Sequence, residues 1–112
     1  MSRDDSARIK DMLRAIAKCR NYFSLIQSDS SADFVELVED AIERNLQIIG
    51  EAANHLSSEF TIIHSDIAWP QIRGLRNILV HEYFVVATDT IRDVIENYLP
   101  ELQQSLSNHI SD

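Results

Sequence analysis

Apolar side chains return every three or four residues along the first quarter of this chain, at Ile9, Met12, Leu13, Ile16, Cys19, Phe23 and Ile26. That spacing marks one face of an α-helix, and Arg8, Lys10, Asp11, Arg14, Lys18 and Arg20 fall mostly off it. A second stripe runs Phe34, Leu37, Val38, Ala41, Ile42, Leu46, Ile49, Ala52, Ala53, Leu56, and a third runs Ile91, Val94, Ile95, Tyr98, Leu99, Leu102, Leu106. Only 2 Gly and 2 Pro interrupt 112 residues. A many-stranded β fold needs a turn roughly every ten residues, which so few breakers cannot supply. The pattern predicts one all-α domain over 1–112, an antiparallel up-and-down bundle of four to five helices, with 1–4 and 108–112 frayed.

The boundaries follow from local chemistry. The first helix is expected over about Asp5 to Gln27, and Ser28-Asp29-Ser30-Ser31 restarts the chain with Ser or Asp as the next N-cap. A longer helix is expected from Asp33 to about Ser57, with Gly50 inside it costing about 1 kcal/mol relative to Ala. The span Phe60 to Pro70 reads as irregular. Trp69-Pro70 then opens a new helix, because proline in a first turn lacks only an N–H that had no partner. Thr88-Asp89-Thr90 is the expected cap of the last helix, which Pro100 should kink.

Apolar residues make up 45% of the chain, so it can build a core. No apolar run approaches the roughly 20 residues of a membrane span, and the start Met1-Ser2-Arg3-Asp4-Asp5 has no signal-peptide core. A cytoplasmic protein is the expectation. The lone Cys19 reads as a small buried hydrophobe. His55 and Glu59 have i, i+4 spacing, but two ligands do not complete a metal site. There is no Gly-rich phosphate loop. The net charge of −8 opposes a general nucleic-acid binder, and no Lys or Arg cluster is visible, so any RNA contact should rest on a few arginines or on a partner.

The chemistry concentrates in Ile72-Arg73-Gly74-Leu75-Arg76-Asn77-Ile78-Leu79-Val80-His81-Glu82-Tyr83-Phe84. Arg76 is permanently cationic and shaped for bidentate phosphate contacts. His81 can hold or release a proton near neutrality. Together they can grip a phosphodiester and move a proton, the minimum needed to cut RNA without a metal. If the helix persists through His81, Arg76 and Tyr83 share nearly one face while Asn77 and His81 are neighbours on the next. The same spacing also suits a core histidine, with Arg76 paired to a helix carboxylate.

Arg76 to Tyr83 resembles the R-x4-H-x-Y signature of HepT-like toxins within the HEPN superfamily. The similarity extends to Asp40 to Ala53, to Ile67-Ala68-Trp69-Pro70-Gln71-Ile72 and to Tyr98-Leu99-Pro100-Glu101-Leu102. The resemblance implies an α-helical homodimer with both motifs facing a shared cleft. It implies the toxin of a toxin–antitoxin module, a metal-independent endoribonuclease acting on mRNA or tRNA. Catalysis would fall to Arg76, His81 and Asn77, with Arg73 and Glu51 as supporting residues. No cofactor is expected; the partner, an MntA-type minimal nucleotidyltransferase, would use ATP to place AMP on Tyr83 and silence the toxin. The alternative is a non-catalytic helical dimer that binds a nucleotide or regulates that nucleotidyltransferase.

Overall fold

The computed structural model describes residues 3–77 and 92–108, with side chains over 4–75 and 92–108. Every described secondary-structure element is helical. Helix α1 spans Arg3–Ser24 and α2 spans Ala32–Asn54. The short α3 (Ser58–Ile63) and α4 (Trp69–Arg73) follow, and α4 runs into a 3-10 turn over Gly74–Asn77. A π-helical turn over Val94–Tyr98 leads into α5, Leu99–Ser107.

The α1 stripe buries Ile9, Met12, Ile16 and Cys19 completely, and that of α2 buries Ile42, Ile49 and Ala53. The two helices form an antiparallel hairpin. Asp5 in the first turn of α1 accepts hydrogen bonds from the Ser57 N–H (2.9 Å) and hydroxyl (2.7 Å), just beyond α2. Farther along, the Cys19 thiol donates to the Ile42 carbonyl at 3.8 Å. Ser31 caps α2 as expected, its hydroxyl accepting from the Phe34 N–H at 3.1 Å. Arg20 donates to Gln103, and the Arg92 guanidinium lies 5.5 Å from the Phe23 ring centroid. These contacts hold the last helical segment against α1.

Three expectations need correction. The span after Phe60 is not wholly irregular, because Ser57 caps α3 by accepting from the Phe60 N–H at 3.1 Å. Leu37 is not core. It is 66% exposed, because the buried face of α2 runs through Val38 and Ile42. The α-helix entering the motif ends at Arg73, and Gly74, a poor helix former, begins the 3-10 turn instead. Pro100 acts one turn before itself. It has no N–H, and its ring would press on the carbonyl four residues back. The preceding turn widens so that the Leu99 N–H reaches Val94, five residues back. The expected cap at Thr88-Asp89-Thr90 lies outside the described residues.

Candidate functional site

The lead-in to the motif is held by aromatic packing. Trp69 is buried, its indole N–H donates to the His64 carbonyl at 3.0 Å, and its ring sits edge-on to Phe60 with centroids 6.0 Å apart. Pro70 occupies the first turn of α4, as its fixed φ favours. Ile72 and Leu75 are buried in the core, and both α4 and the 3-10 turn pack on α2. The chain therefore reaches Arg76 on a short segment anchored by three apolar side chains.

Arg76 and Asn77 close the 3-10 turn. Within that turn residues three apart eclipse, instead of lying 300° round an α-helix. The face-sharing expected of Arg76 with Tyr83 and of Asn77 with His81 depends on residues 78–83, which lie outside the described residues. His81 and Tyr83 themselves lie outside the described residues, as do the side chains of Arg76 and Asn77.

Arg73, at the end of α4, is half-buried. Its Nε is enclosed and has no hydrogen-bond partner among the described residues. An enclosed donor on a permanent cation is costly unless an acceptor arrives, and an anionic oxygen is the group that satisfies it best. Glu51 lies elsewhere. It is exposed on α2 and lines a shallow groove with Arg8, Asp11 and His55, to which no residue of 69–75 contributes. Its backbone carbonyl accepts from His55 Nδ1 at 2.7 Å. The structure thus places Glu51 in a groove that Arg73 does not line. Among the described residues no group of three or more His, Cys, Asp or Glu is placed to hold a metal ion. No described helix is long and apolar enough to cross a membrane.

Comparison with known proteins bears on the same segment. The family model described as "Ribonuclease HepT-like" matches residues 12–108, which takes in α4, the 3-10 turn and the motif. A candidate RNase of Caldanaerobacter subterraneus subsp. tengcongensis is 36% identical over 93 residues, covering 81% of this chain and 83% of that protein. A candidate RNase of Methanocaldococcus jannaschii is 27% identical over 103 residues, covering 88% and 93%. A protein of Thermococcus cleftensis named "Probable ribonuclease HepT" is 32% identical over 63 residues, covering 56% and 57%. No solved structure matches.

Proposed function

Because this chain belongs to the ribonuclease HepT-like family, we propose that it is a metal-independent endoribonuclease, the toxin of a toxin–antitoxin pair. The observation that carries the reading is the family match across residues 12–108, with Arg76, Asn77, His81 and Tyr83 all inside it. The Nε of Arg73, three residues before Arg76 and without a hydrogen-bond partner among the described residues, adds a second cation in want of an anionic oxygen.

The chemistry needs little else. The ribose 2′-OH attacks the adjacent phosphorus; the O2′–P bond forms, the P–O5′ bond breaks, and a 2′,3′-cyclic phosphate remains. One group takes the 2′-OH proton and another gives a proton to the departing O5′. His81 fills one of these roles, for a gain of about 10²- to 10⁴-fold. A homodimer supplies the other from the second copy's histidine. Arg76 stabilises the charge that grows on the phosphorane oxygens, Asn77 orients His81 or donates to a phosphate oxygen, and Arg73 adds cationic support. A nucleotidyltransferase antitoxin of the MntA type silences the site by moving AMP from ATP to the Tyr83 hydroxyl, with release of pyrophosphate. The added phosphate and base then occupy the place of the RNA phosphate beside Arg76.

The test is cleavage of single-stranded RNA and tRNA by the purified chain in chelator, beside Arg76→Ala and His81→Ala. Both variants should fold and lose cleavage by at least about 100-fold. Retained cleavage in either would remove that residue from the catalytic assignment. AMP transfer is read by mass, and a Tyr83→Phe chain that still gains AMP places the acceptor elsewhere. Binding of AMP or ATP with no cleavage of any RNA would favour the nucleotide-binding dimer, to which the −8 charge is better suited.

A further inference from the structure

The acid balance of the chain is unevenly distributed. Of its 10 Lys and Arg, six lie in α1, against three Asp there, while the whole chain carries −8. Burial of Ile9, Met12, Ile16 and Cys19 fixes the rotation of α1, and so turns Arg8, Arg14 and Lys18 outward along its border with α2. Arg14 and Lys18 line a groove of about 200 Å³ together with Asn45 of α2. Arg8 and His55 line a second of about 140 Å³. Asp11 and Ile48 line both, so the two lie side by side along the α1–α2 seam.

Its cations have no ion-pair partner among the described residues. Arg8, Arg14 and Lys18 are exposed, and the only ion pair among the described residues joins Arg92 to Glu96 at 3.6 Å. Arg8 to Lys18 covers about 15 Å of helix, at about 1.5 Å per residue. That length suits a few consecutive phosphates of one extended strand. The carboxylates of Asp11 and Glu51 stand between the two basic ends, so phosphates would seat at Arg8 on one side and at Arg14 and Lys18 on the other. The acidic remainder of the molecule repels a polyanion elsewhere and so confines it to this seam.

We propose that the α1–α2 groove is a track for the sugar–phosphate backbone of single-stranded RNA, contacted by Arg8, Arg14 and Lys18. No residue of 69–75 lines it. The proposal rests on the ribonuclease reading and adds where the substrate is held. It also answers the charge objection, because a −8 chain needs only one local basic path to hold a strand.

The test compares wild type with Arg14→Gln/Lys18→Gln, and separately with Asp11→Asn, in cleavage of an unstructured RNA over a salt series. The double variant should raise KM about tenfold at low salt with kcat within about twofold. Its slope of log(kcat/KM) against log[salt] should become shallower by about 0.7 for each phosphate left unneutralised. Asp11→Asn should lower KM. A folded double variant with wild-type KM and salt slope overturns the track and leaves the ribonuclease reading standing. A wild-type chain that neither cleaves nor binds RNA overturns both. Variants that keep the RNA KM and instead lose an acidic protein partner assign the groove to that partner, which also overturns the proposal.

Discussion

Burial of the Cys19 thiol between α1 and α2 pushes its pKa up to about 12 from an ordinary value near 9. Burial also raises the Tyr98 hydroxyl above its usual range. In both cases the folded chain keeps a proton that the unfolded chain gives up, so the neutral group's contribution is complete below the unfolded pKa and is lost as pH rises. The melting temperature should therefore fall from about pH 9 upward, and Cys19→Ala should flatten that fall while lowering stability at neutral pH through poorer packing. An alkaline profile identical in wild type and Cys19→Ala would contradict this. Arg73 poses the opposite case, a cation whose enclosed Nε has no partner among the described residues. Replacing it by Met keeps the stem and deletes the orphan donor. Arg73→Met should match or exceed the wild-type melting temperature while cleaving RNA more slowly; a clear loss of stability would show a structural role for the guanidinium instead.

At the level of the helices, the apolar period located α1, α2 and the end of the last helix to within a few residues. It could not rank positions within a stripe. Leu37 and Ile42 both belong to the α2 stripe, yet Ile42 is fully buried and Leu37 is 66% exposed. Ile42→Ala should cost about 2–5 kcal/mol and Leu37→Ala less than about 0.5, read from urea midpoints. Equal losses would mean that Leu37 is covered by something, with a second chain the first to test. Helix α3 went unread because six residues are too few to show a period, and its cap Ser57 sits where α2 seemed to be ending. The tightening at Gly74 was legible only as a low helix propensity. It matters because Arg76 and Asn77 sit in that turn.

For the whole molecule, the decisive interactions join residues far apart in the chain. Asp5 reaches Ser57 across 52 positions, and Arg20 reaches Gln103 across 83. No local pattern signals either. The proposed dimer belongs to this scale too: one copy has one His81, and in-line cleavage needs a proton taken and a proton given. Light scattering of the purified chain should give twice the chain mass. An active monomer would require a second proton-transfer group within the same copy. The basic seam is the feature most easily missed from sequence, since Arg8, Arg14 and Lys18 read as the solvated side of an amphipathic helix. They become a path only when α2 supplies the opposite wall.

Sequence by itself determined that the chain is helical, where its long helices run and to which family it belongs. Each of these is written in short-range spacing, in the apolar period and in the R-x4-H-x-Y pattern. The tertiary structure decided which stripe residues are core, where the α-helix gives way before Arg76, that Arg73 is left with an enclosed donor unpaired among the described residues, and that Glu51 faces a different groove. Those outcomes depend on which surfaces meet, and burial is a property of the pair of surfaces and not of either sequence alone.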